Sequence, residues 1–160
     1  MKRKIAISII CIFVGLMLNL VIHECSHLLF LKIFDGDFEN ISIGTTSFVT
    51  GYIEPKHITI VALSSIFVPL TISCILAFVK QLYVEIFCCS FTISTFMNSF
   101  LGLIVNFFEK EMATRQTFDV LLAADNANYP IIVYMVTFVF MLLSSFIIGL
   151  SMKRIVENFS

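Results

Sequence analysis

Two of the chain's three histidines stand four residues apart in His23-Glu24-Cys25-Ser26-His27, an HExxH pattern. On a helix, residues i and i+4 lie one turn apart on the same face. Two imidazoles at that spacing can hold one Zn²⁺ at about 2.0–2.1 Å each. Glu24, one position along, then reaches a water activated there and serves as general base. The alternative is a pair of hydrogen-bonded histidines beside a structural carboxylate. It fits poorly, because each ionisable group inside an apolar span costs roughly 3 kcal/mol unless it is paired or functional.

A catalytic zinc site needs a third protein ligand and an open position. The candidate read first is Asp119, which opens the apolar, helix-like segment Phe118 to Ala124. Such a segment can dip back toward His27. Asp125 is the alternative third ligand, while Glu109 and Glu111 read as solvated charges. His57 sits just before the second span and reads as an interfacial residue.

These residues need a scaffold, and the composition names its class. Of 160 residues, 59% are hydrophobic and 13% charged, with a mean hydropathy of +1.00. A water-soluble domain carries about 25% charged residues. The net charge of −1 and the lack of a basic tract beyond the first four residues exclude a nucleic-acid partner. Four apolar spans, approximately 5–34, 58–79, 83–108 and 131–150, each reach the roughly 20 residues that cross a hydrocarbon core. The expectation is one all-α integral membrane domain over 1–160, with the lipid bilayer as its surroundings. The first span reads as a retained anchor rather than a cleaved leader, because its apolar run continues through the HExxH motif. Cys11, Cys74, Cys88 and Cys89 lie in apolar runs and read as small buried residues.

Lys and Arg set the expected orientation. Lys2, Arg3, Lys4, Lys80, Lys153 and Arg154 fall on one side of four alternating spans; Lys32, Lys56, Lys110 and Arg115 fall on the other. Both termini are therefore expected in the cytoplasm, in the plasma membrane, with residues 35–57 and 109–130 outside. In the first of these loops, Phe38, Ile41, Ile43, Phe48, Val49, Tyr52 and Ile53 flank Gly44-Thr45-Thr46-Ser47. That pattern predicts a short β-hairpin turning at 44–47.

Small and polar residues recur every four positions in two spans: Cys11, Gly15, Asn19, His23 and His27 in the first, and Ser94, Asn98, Gly102 and Asn106 in the third. Such stripes face other helices rather than lipid, so the two faces are expected to meet around the metal. Asn98 or Asn106, and also Asn19, are candidates to contact substrate or a developing oxyanion, against a plain packing role.

HExxH in a membrane span, followed by a hairpin, two more spans and a late aspartate, resembles the site-2-protease family of intramembrane zinc metallopeptidases. The resemblance covers roughly residues 5 to 125. It implies that His23, His27 and Asp119 ligate zinc, that Glu24 is the general base, and that residues 38–53 pair with an unwound substrate strand. The implied substrates are membrane-anchored proteins or peptides. The sequence departs from that family's pattern in four places. Phe118-Asp119-Val120 stands where Leu-Asp-Gly is usual, no proline follows Asn98 or Asn106 at the usual spacing, the Gly-Pro often found in the second span is missing with only Pro69 nearby, and the charge bias puts the site on the outer side. Two other functions stay open: a zinc-binding pseudoprotease or non-catalytic membrane subunit, and a metal-transporter accessory with His23, Glu24 and His27 along an ion path.

Overall fold

Long runs of Ile, Leu, Val and Phe have one economical way to satisfy their backbone in lipid, which is to hydrogen-bond within the segment. The computed structural model describes residues 2–36, 38–42, 45–48, 53–108 and 119–159. In chain order the elements are α1 (Lys2–Ile33), β1 (Phe38–Ser42), β2 (Thr45–Phe48), α2 (Pro55–Leu76), α3 (Leu82–Phe108), α4 (Asp119–Asn126) and α5 (Pro130–Phe159). Helices α1, α2, α3 and α5 are long and apolar enough to cross a membrane. Their outward faces, such as Ile9, Ile10, Phe13 and Val21 on α1 or Ile131, Met135, Phe138 and Phe146 on α5, are exposed and apolar.

Helix ends depart from the hydropathy-based spans for physical reasons. Helix α2 starts at Pro55, whose missing N–H is no loss in a first turn, with Glu54 as N-cap. Helix α5 continues to Phe159, past the predicted limit at Leu150, because hydropathy marks the lipid-crossing part and helical hydrogen bonding carries on beyond it. Helix α1 stops in a Schellman turn. Asp35 takes φ 53°, and the Gly36 N–H reaches the Leu31 carbonyl at 2.9 Å. A Cβ at Gly36 would meet the tips of the Ile53 and Leu31 side chains, which would have to shift to admit it.

The hairpin expected over residues 38–53 is not supported as drawn. Backbone pairing is limited to β1 with β2, antiparallel, with Ser42 opposite Thr45 and an irregularity between Phe38 and Asn40. Thr45, Thr46 and Ser47, expected in the turn, belong to β2; β-branched threonine suits a strand better than a tight turn. Ile43, Gly44, Val49 and Tyr52 lie outside the described residues, as do Glu109 to Phe118.

Helices α1 and α3 run parallel and touch through their small and polar faces. Gly15 sits against Ser90 and the Phe87 carbonyl. Asn19 spends both amide hydrogens on α3, at 3.0 Å from the Phe91 carbonyl and 2.8 Å from Thr95 Oγ1. The α3 stripe does not face α1 along its whole length. Asn98 meets His23, Gly102 receives Val120 of α4, and Asn106 Oδ1 accepts the Tyr134 hydroxyl of α5 at 2.8 Å. The cause is helical pitch. At 3.6 residues per turn, each four-residue step rotates by about 40°, so the stripe winds from one neighbour to the next.

At the other end of the bundle, Arg154 of α5 donates to the Ala77 carbonyl at 2.7 Å and lies 3.8 Å from Glu85 of α3. Hydroxyls within α2 are satisfied by their own helix: Thr71, exposed, bonds to the Phe67 carbonyl and Ser73, buried, to the Pro69 carbonyl. All five cysteines are free. Cys88 and Cys89 are buried and Cys11 and Cys74 half-buried, while Cys25 is exposed.

A branched side chain at Gly15 must push α1 away from the α3 backbone. Gly15→Val is expected to cost about 1–3 kcal/mol, whereas Gly149→Val, where a Cβ meets nothing within 4 Å, leaves stability unchanged. Thermal unfolding in detergent, followed by circular dichroism, checks this; equal midpoints for the two variants would refute close α1–α3 packing.

Candidate metal centre

Two elements deliver the ionisable residues. Helix α1 carries His23, Glu24 and His27, and α4 carries Asp119 as its first residue. Helix α4 is short, yet Val120, Leu121, Leu122, Ala123 and Ala124 are all buried. It packs against α2, α3 and α5. With Leu31, Ile53, Ile58, Val61, Ala62 and Val133, its residues 122–124 form the main apolar core. Gly102 makes room for it, because a Cβ there would come within 2.9 Å of Val120. The Thr59 hydroxyl of α2 lies 3.1 Å from the Ala123 carbonyl. Asp119 is thus carried back into the bundle.

There it meets both histidines. His23 Nε2 is 3.1 Å from Asp119 Oδ2, and His27 Nε2 is 3.2 Å from Oδ1. The imidazole centroids are 5.0 Å apart and nearly perpendicular, at 88°. One ligand atom from each of the three residues lies within 4.8 Å of the others. Tetrahedral coordination at zinc-type bond lengths sets ligand atoms about 3.3 Å apart; the two histidine–carboxylate separations match this, each to a different Asp119 oxygen, and the three donors can close around a small divalent cation. Burial works against charge on Asp119, but imidazoles protonated on the nitrogens that face it outweigh that and hold the carboxyl below its ordinary range; a bound metal would take the place of those protons.

The remaining ring nitrogens are also engaged. His27 Nδ1 is 3.0 Å from the Val61 carbonyl of α2. A carbonyl only accepts, so Nδ1 carries the hydrogen and Nε2 keeps its lone pair for a metal. His23 Nδ1 is 3.3 Å from Asn98 Nδ2. An amide nitrogen only donates, so in this arrangement Nδ1 accepts and the ring carries its hydrogen on Nε2, toward Asp119 Oδ2; a flip of the amide that turns its oxygen to the ring would free Nε2 for a metal. Glu24 Oε1 lies 3.8 Å from His23 Nε2, beyond direct contact and within reach of a molecule bound between them. His27 and Glu24 are buried, while the His23 and Asp119 side chains are 16% and 17% exposed and form the accessible edge.

Of the sequence candidates, the structure brings together His23, Glu24, His27, Asp119 and Asn98. Asn106 is tied to Tyr134, about 12 Å further along α3 than Asn98, and Asn19 is occupied with α3 packing. Asp125 is exposed, six residues beyond Asp119 on α4. His57 stacks on Phe34 at 4.2 Å with rings 5° from parallel. Among the described residues, His23, His27 and Asp119 make up the metal-capable group. Sequence reasoning missed Ser65, whose hydroxyl is 2.7 Å from Asp119 Oδ2. The one signal available was a Ser64-Ser65 pair inside an apolar span, and a serine there can equally bond to its own helix.

Fold and site together define a class: a bundle of four membrane-length helices with two histidines and a carboxylate converging near one end. No family model, no curated protein and no solved structure matches the chain.

The two aspartates are separable by metal binding. Asp119→Ala is expected to weaken divalent-metal affinity at least about tenfold, and Asp125→Ala to leave it at the wild-type level. Metal content of the detergent-purified variants reads this directly; loss in Asp125→Ala alone would reverse the assignment.

Proposed function

We propose that this protein is an intramembrane zinc metalloprotease of site-2-protease type that hydrolyses peptide bonds in membrane-anchored proteins or peptides. The observation that carries the reading is the meeting of HExxH on α1 with Asp119 of α4, with Glu24 beside the position that the three donors surround. His23 Nε2, His27 Nε2 and one Asp119 oxygen would hold zinc. Bound there, zinc supplies a Lewis acid that polarises a scissile carbonyl and acidifies water toward neutral pH. Glu24 takes the proton from the attacking water and passes it to the leaving amine. Asn98, against His23, orients the ring and stands near enough to the site to contact substrate.

The membrane-length helices supply the water-poor surroundings in which a carboxylate base and a buried cation act strongly. The β1–β2 pair, which contacts α1, offers backbone for strand addition to an unwound substrate. In this reading the protein is multi-pass in the plasma membrane with both termini cytoplasmic, as the Lys and Arg distribution favours.

A second reading keeps the zinc and drops the hydrolysis, as in a pseudoprotease or non-catalytic subunit. The observation that favours it is the burial of Glu24, 7% exposed, since a carboxylate so far from solvent also serves as a purely structural group beside the metal-capable triad. Glu24→Gln separates the two. In a protease, the variant keeps zinc and loses about 10²–10⁴-fold in cleavage of a membrane-anchored reporter reconstituted in vesicles. Wild-type cleavage rates in Glu24→Gln would rule out the general-base role.

A further inference from the structure

The Asp119 carboxylate is held from two directions. Its Oδ1 faces His27, and its Oδ2 faces both His23 Nε2 and the Ser65 hydroxyl of α2. Ser65 is 1% exposed and sits on the buried face of α2 with Val61 and Ala62, both fully buried. Its oxygen lies 2.8 Å from the Ala62 carbonyl and 2.7 Å from Asp119 Oδ2. A hydroxyl has one proton to give, and an ionised carboxylate is the stronger acceptor. A serine that only satisfied itself within its own helix would need the Ala62 carbonyl alone.

We propose that Ser65 is the positioning residue of this centre: it donates to Asp119 Oδ2, fixes the plane of the carboxylate, and leaves Oδ1 as the single ligating oxygen. The inference rests on the zinc-site reading. It makes one face of α2 the frame for ligands from two other helices. The Val61 carbonyl orients His27 of α1, and the Ser65 hydroxyl orients Asp119 of α4. One-oxygen coordination keeps the site at three protein donors with an open position, as hydrolysis requires. Without the hydroxyl, both carboxylate oxygens are free to approach the cation, which raises the coordination number and fills that position.

The test uses the full-length protein in detergent. Zinc affinity is measured by chelator competition and coordination by the visible absorption of the Co²⁺-loaded protein. Ser65→Ala is expected to weaken zinc binding about 10–100-fold and to shift the Co²⁺ spectrum away from the four-coordinate form. Ser65→Thr, which keeps the hydroxyl, restores both. Ser73→Ala removes an equally buried hydroxyl of α2 that bonds to the Pro69 carbonyl, and it changes neither. Wild-type affinity and spectrum in Ser65→Ala overturn the inference and leave the zinc reading standing. A Ser65→Thr variant as impaired as Ser65→Ala also overturns it, since the loss then comes from packing. A folded wild-type protein that binds neither metal overturns the inference and the zinc reading together.

Discussion

The constraint on which this structure turns is the confinement of two imidazoles and two carboxylates in an apolar helical bundle. Each ionisable group placed there alone would cost roughly 3 kcal/mol. The bundle meets that cost by converging them, with Asp119 between His23 and His27 and Glu24 beside His23. Convergence demands that α4 leave the aqueous side and bury its middle residues, and much of the packing serves that end. Gly102 opens the space, and the cluster around Leu31, Val61 and Ala123 fills it.

Backbone and hydroxyl groups then finish what the charges begin. The Val61 carbonyl, the Asn98 amide and the Ser65 hydroxyl each meet one residue of the triad. Buried polar networks of this kind hold a single arrangement when every member is satisfied. Elsewhere among the described residues, Glu85 Oε2, Thr137 Oγ1 and Ser144 Oγ are buried without a hydrogen-bond partner. At the opposite end of the bundle, Arg154 ties α5 to the α2–α3 turn through the Ala77 carbonyl.

On the protease reading, this arrangement also accounts for access. His27 and Glu24 face inward, and the edge formed by His23 and Asp119 remains partly open. The strand pair follows directly on the end of α1 that carries the motif. A substrate segment reaching that edge would have to be extended, because a helical backbone keeps its carbonyls bonded to its own amides.

The sequence by itself determined the four membrane-length helices, since uninterrupted apolar length is a property of the chain alone. It also determined the pairing of His23 with His27, because a four-residue spacing on one helix is local geometry. That Gly15 and Asn19 share a face of α1 with His23 followed from the same short-range rule; that this face meets α3 did not. What lay beyond it was everything joining residues distant in the chain. Asp119 and Asp125 are chemically alike, and only the burial of α4 decides that the first meets the histidines and the second faces outward. Asn98 and Asn106 look equivalent in a four-residue stripe, yet the 40° drift per step sends one to His23 and the other to Tyr134. Ser65 was invisible because a serine in an apolar helix can bond to its own backbone, and its second acceptor lies 54 positions away. Local spacing is written in the chain; which helix faces which residue is a long-range choice, made by packing.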